Sequence, residues 1–158
     1  DYIEETQGIQ IIGADVYLNE FLMPKGTITK TSPDKDAFND IELAKETCLN
    51  LGMEDKGQAC VVSNGIVVAM EDINGTDYML CKALKIDKDK VRGGILMKTL
   101  KPIQDDRVDL PTIGINTLKL IKEIGLSGIV LQSNKAFLVD KEKVLDFANN
   151  EKLFIHGI

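Results

Sequence analysis

The sequence is poor in the residues that most often carry catalysis by themselves. It holds one histidine, His156, two residues from its end. A serine or cysteine nucleophile activated by histidine would have to use it, and nothing beside it in sequence supports such a triad. Cysteines are few: Cys48, Cys60 and Cys81 are odd in number, far apart and without a C-x-x-C pair. That spacing argues against a disulfide framework or a zinc site, and predicts inert, reduced thiols buried in the core of a cytoplasmic protein. No apolar run approaches the roughly 20 residues needed to cross a bilayer. Basic residues are in deficit, with 19 Lys and Arg against 25 Asp and Glu, so the formal net charge of −6 excludes a generic nucleic-acid binder. Low-complexity stretches, internal repeats and a signal-peptide pattern are all missing. Residue 1 is Asp, not Met, so the chain reads as processed or cut from something longer. What remains for chemistry is carboxylates, lysines, backbone dipoles or a hard metal ion.

What is present is enough for one compact domain: 158 residues, 44% of them apolar and 28% charged. The charge is unevenly placed. Eight basic residues (Lys82, Lys85, Lys88, Lys90, Arg92, Lys98, Lys101, Arg107) and four acidic ones fall between Lys82 and Arg107, a window of +4 in a chain whose remainder carries −10. A local positive field in an acidic protein suits a small anionic ligand better than a long polyanion. Lys85 to Arg92 reads as a solvated linker, whereas Lys98, Lys101 and Arg107 sit among apolar and proline residues.

The patterning predicts an α/β domain with a mixed β-sheet flanked by helices. Residues 1–30 read as a lead-in from a junction with a missing N-terminal domain, with a short apolar run at Ile9–Ile12 and a short helix over Val16–Phe21. Residues 31–158 form the domain proper. Ser32-Pro33 opens a helix through Leu51, ended by Gly52. Ala59–Val62 and Ile66–Met70 make a hairpin about Asn64-Gly65. Thr76 caps a helix through Leu84. Gly94–Met97 is a strand, and Leu100–Pro111 an irregular polar segment. Asn116–Ile124 is an amphipathic helix ended by Gly125. Gly128–Leu131 and Ala136–Val139 read as a second hairpin about Ser133-Asn134. Asp140 caps a last helix, and Leu153–Ile155 is a final strand. Interleaved helices and hairpins exclude a purely parallel, doubly wound sheet.

Two polar segments interrupt this core. Glu71 to Asp77 runs from a strand end to a helix N-terminus, where free N–H groups favour phosphate, and Thr76 and Asp77 serve either as caps or as cation ligands. Lys98 to Gly114 packs two lysines, an arginine and three carboxylates into a stretch bracketed by Pro102 and Pro111. Carboxylates that hold Mg²⁺ or orient water, beside cations that neutralise phosphate oxygens, are what metal-assisted phosphoryl chemistry needs. A solvated loop with surface ion pairs has the same composition.

The order of motifs is more specific. Gly94-Ile-Leu-Met-Lys98, Lys101-Pro-Ile-Gln104 and Arg107-Val-Asp109-Leu-Pro-Thr-Ile-Gly114 resemble the C-terminal domain of LpxI-type UDP-2,3-diacylglucosamine pyrophosphatases. The likeness extends to Ile12-Gly13-Ala14, Pro24-Lys-Gly26, Val67-Val-Ala-Met-Glu71, Gly75-Thr-Asp77, Gly125-Leu-Ser-Gly-Ile129 and Leu153-Phe154. The resemblance implies hydrolysis of the pyrophosphate of UDP-2,3-diacylglucosamine to UMP and 2,3-diacylglucosamine 1-phosphate, a step of lipid A synthesis in Gram-negative bacteria. It implies a Mg²⁺-dependent enzyme, cytoplasmic and peripheral to the inner membrane, with substrate lying against an N-terminal domain. It carries the essential aspartate over to Asp109, which activates water or holds the metal. By charge and placement, Lys98, Lys101, Gln104, Arg107, Thr76 and Thr112 then bind substrate phosphate, and Asp77 and Glu71 join Asp109 at the metal. Asn74 stands where the family usually has Glu, and Cys81-Lys82 where it has two arginines. A non-catalytic nucleotide-sugar or phosphate-binding module, and an interaction domain whose polar loops are only surface, are the rival readings. Homo-oligomerisation is left open.

Overall fold

A computed structural model describes residues 2–105, 107 and 109–158. A six-stranded mixed sheet in the order β1-β8-β6-β4-β2-β3 forms its centre. Its strands are β1 (Gly26–Thr27), β2 (Ala59–Ser63), β3 (Ile66–Met70), β4 (Ile95–Lys98), β6 (Gly128–Leu131) and β8 (Phe154–Gly157). A small second sheet pairs β5 (Thr112–Ile113) with β7 (Phe137–Leu138) in parallel. The helices are α1 (Tyr2–Gln7), α2 (Lys35–Met53), α3 (Thr76–Ala83), α4 (Lys88–Val91), α5 (Ile115–Ile124) and α6 (Lys141–Asn150).

Alternation along the strands sorts the core into two layers. Val61, Leu96, Ile129 and Ile155 pack with Met79, Leu80, Leu118, Ile121 and Val144 of α3, α5 and α6. Cys60, Val62, Ile95, Met97, Val130 and Phe154 face the other way, onto Ala37, Ile41, Ala44 and Cys48 of α2. β4, β6 and β8 are parallel and joined by the α5 and α6 crossovers, so their carboxyl ends share one edge of the sheet.

The α/β class and mixed sheet are as the patterning predicts, and Asn64 (φ 53°) and Gly65 (φ 74°) turn the β2–β3 hairpin. The second hairpin is not there. β6 is parallel to both its neighbours, while β7 lies in the other sheet beside β5. The turn at Asn134 does form, but Asn134 N donates to Met23 O and Met23 N to Ala136 O, which draws the chain off the main sheet. The lead-in helix resolves into two 3₁₀ turns, Ala14–Val16 and Asn19–Phe21, and Ile9–Ile12 lies in no helix or strand. α2 begins two residues late, because Asp34, not Ser32, accepts from Ala37 N as its cap. Gly52 does not end α2 but lies buried inside it. Lys88–Val91 in the expected linker is a helical turn that buries Val91. Asp140 precedes α6 without capping it through its side chain. Of the cysteines, Cys48 and Cys60 are buried with their sulfurs 3.6 Å apart, whereas Cys81 is exposed. Among the described residues, no helix is long and apolar enough to cross a membrane.

Candidate phosphate-binding crevice

The carboxyl edge of the parallel strands is where open α/β sheets place ligands, in the crevice beyond the strand ends. Here such a crevice of about 680 Å³ opens beyond β4, β6 and β8. Thr99, Leu100, Lys101, Pro102, Gln104 and Asp105 form one side, Gln132 and Ile158 lie at the ends of β6 and β8, and Lys45 and Leu49 of α2 form the wall. The volume suits a small molecule.

Its local geometry follows from how β4 ends. Thr99 N donates to Gln58 O, carrying the β2–β4 ladder one rung further, while β6 and β8 run on together through Ile158 N to Leu131 O and Ser133 N to Ile158 O. Gly52 lets the departing loop press onto α2, since a Cβ there would lie 2.7 Å from Pro102 Cδ and 3.3 Å from Lys101 Cα.

Within the loop, Gln104 Nε2 donates to Asp109 Oδ2 at 2.8 Å and so orients an exposed carboxylate. Gln104 Oε1 is buried with no partner among the described residues, a cost of about 1–3 kcal/mol unless a donor meets it. Lys101 Nζ reaches Asp55 Oδ1 at 2.8 Å, its side chain mostly buried. Arg107 donates from Nε and Nη2 to Asp105 and from Nη1 to Glu4 of α1 at 3.1 Å. The guanidinium holds the Asp105 carboxyl down at about 2, by hydrogen bonds first and charge second. Glu4 is lowered too, first by the Ile11 N–H it accepts. Asp105 is paired with Arg107, Lys101 with Asp55 and Lys45 with Glu42, so a phosphate entering the crevice would meet two lysines that already hold carboxylate partners.

The other predicted site residues are distributed around this centre. Lys98 closes β4 on the face of Leu96, toward α3, α5 and α6 and away from the α2 wall. Thr76 does not cap α3: Gly75 holds that position, and the Thr76 hydroxyl donates to buried Glu71 Oε2 at 2.9 Å. Glu71 lines a second cavity with Asp55, Asp72 and Lys101, so Lys101 stands between the two. Asp77 lines a third depression with Asn116 and Asp140 at the start of α5. The Thr112 hydroxyl donates to Leu110 O, and the residue borders an apolar groove with Phe137 and Leu138. Asp106 and Val108, part of the predicted motif segment, lie outside the described residues.

Among the described residues, no three His, Cys, Asp or Glu side chains gather to hold a metal, so Asp109, Asp77 and Glu71 do not make a three-ligand site. Mg²⁺ commonly takes one or two protein carboxylates and completes its shell with water and substrate phosphate. Asp109, exposed and oriented by Gln104, fits that mode. Sequence reasoning missed Gln132, Lys45, Thr99 and Ile158; the available signal was a polar residue directly after the buried run Gly128–Leu131.

A family model described as the LpxI C-terminal domain matches residues 24–156. A protein of Caulobacter vibrioides named UDP-2,3-diacylglucosamine pyrophosphatase LpxI is 38% identical over 160 residues. The alignment covers 98% of the present chain and 57% of that relative, so the chain spans little more than half the relative's length.

Proposed function

The chain belongs to the LpxI C-terminal-domain family, and on that footing we propose that it is the part of a UDP-2,3-diacylglucosamine pyrophosphatase that carries the water-activating carboxylate. The observation that carries this reading is the contact of Asp109 with Gln104, which lines a crevice bordered by Lys45 and Lys101, in the segment whose motifs mark the family. Lys101 and Gln104 bind the pyrophosphate there. Arg107 joins them by exchanging its carboxylate partners for phosphate oxygens of higher charge. Asp109 accepts the proton of a water that attacks the sugar-side phosphorus. An O–P bond forms as the bridging P–O bond breaks, releasing UMP and 2,3-diacylglucosamine 1-phosphate. Asp109 would hold a Mg²⁺ ion, which would supply charge neutralisation when bound. Glu71 and Thr76 support Lys101 from the adjoining cavity, whereas Lys98 on the opposite face and Thr112 and Asp77 at other depressions make no contact with the pyrophosphate held here. The protein works at the cytoplasmic surface of the inner membrane, where a diacylated nucleotide sugar resides, with the remainder of the longer protein closing over the substrate.

Asp109→Asn in the full-length protein tests this. The amide keeps the Gln104 contact but loses the base, so UMP release falls by about 10²–10⁴-fold with thermal stability unchanged. Chelation of Mg²⁺ abolishes release in the parent protein and re-addition restores it. Unchanged turnover in the variant refutes the role of Asp109.

A further inference from the structure

The side chain of Gln132 ties two strand ends together at the crevice. In a parallel ladder, the N–H groups beyond Lys98 and Leu131 would be met by the neighbouring backbone. At Thr99 the strand still pairs with Gln58 on the β2 side, but Leu100 N finds no backbone acceptor on the β6 side. Gln132 Oε1 accepts from it at 3.0 Å, replacing the lost strand contact with a side chain. Period two puts Gln132 on the face of Val130, toward α2, the side on which Lys45 and Leu49 wall the crevice. With its oxygen engaged by Leu100 N–H, the amide keeps its nitrogen, a double donor, for an anionic ligand. The other charged and amide groups there are Lys45, Lys101, Gln104 and Asp105, the last neutralised by Arg107.

We infer that Gln132 is a substrate-binding residue: the Leu100 N–H fixes its amide so that Nε2 donates to a phosphate oxygen, and the same bond sets the start of the Lys101–Gln104 loop. This rests on the crevice being a pyrophosphate site and assigns it a contact from the far strand. Occupancy and loop geometry are thereby coupled, because a loop that drifts from Gln132 frees the amide to rotate.

Two variants separate the roles. Gln132→Glu keeps an oxygen for Leu100 N–H but replaces the donor with a second oxygen. Gln132→Leu removes both. In the full-length protein, inorganic pyrophosphate is titrated by calorimetry without metal, and Leu100 amide exchange is followed by NMR. Both variants are expected to bind pyrophosphate about tenfold or more weakly, the scale of one hydrogen bond to a charged group. Leu100 exchange rises about tenfold in Gln132→Leu only. Parent-like pyrophosphate binding by Gln132→Glu overturns the inference, as does a parent protein that binds no pyrophosphate. Gln132-dependent pyrophosphate binding without UMP release by the parent would refute the enzymatic reading and leave this one standing.

Discussion

His156 shows how the environment of one side chain sets a pH dependence for the whole protein. Burial first, and the charge of Lys45 second, lower its pKa below the ordinary 6.5. The Thr27 hydroxyl lies 2.8 Å from Nδ1, and Phe38 meets the ring edge-on. The fold therefore keeps the ring neutral to lower pH than the unfolded chain does, and protons favour unfolding. The stability His156 contributes is present above about 6.5 and lost as pH falls below it. Urea unfolding at pH about 7.5 and 5.5 should show a loss in the parent that shrinks in His156→Gln, whose amide can still meet Thr27. Equal losses would assign the pH dependence to other groups. Residue by residue, the family motif points to Asp109, whereas Lys101, Gln104 and Arg107 are picked out by charge and placement in the segment that carries it. Gln132 and Lys45 reach the same crevice from β6 and α2, and no local pattern links residues so far apart in sequence.

Among the elements, α2 walls the crevice with Lys45 and Leu49 and, through Gly52, lets the Lys101–Pro102 segment pack against it. Gly52 lies inside the helix, where Ala would be favoured by about 1 kcal/mol on propensity. Yet its added methyl would meet Pro102 at 2.7 Å. Gly52→Ala should therefore destabilise the protein by about 1–3 kcal/mol and, by displacing Lys101, weaken phosphate binding. Denaturant unfolding and calorimetric titration read the two effects, and a stabilised variant with parent-like binding would show that the loop yields freely. Helices were legible where apolar spacing was regular: α2, α5 and α6 stand within a few residues of their predicted bounds. The β2–β3 hairpin was legible because Asn64-Gly65 fixes its own turn chemistry. The false second hairpin arose because Gly128–Leu131 is buried on both faces. Such a run says that a strand is central and leaves its partners unnamed.

Across the whole molecule, both layers of the core depend on the strands between them. Leu96 is fully buried at mid-strand in β4, between β2 and β6, facing α3, α5 and α6. Leu96→Ala should lower unfolding stability by about 2–5 kcal/mol, measured by denaturant titration, without altering crevice chemistry on the opposite face. A loss under about 1 kcal/mol would mean that the layer closes over the cavity. The sheet's order has a further result for the chain as it is made. β1 pairs only with β8, Gly26 opposite Gly157 and Thr27 opposite His156, although β1 is the first strand and β8 the last. The contact is so close that a Cβ on Gly157 would lie on the Pro24 carbonyl. Synthesis runs from the amino end, so among the described strands residues 154–157 are made last. β1 must wait beside a sheet it cannot yet join, so its edge is completed only after synthesis has passed the last strand.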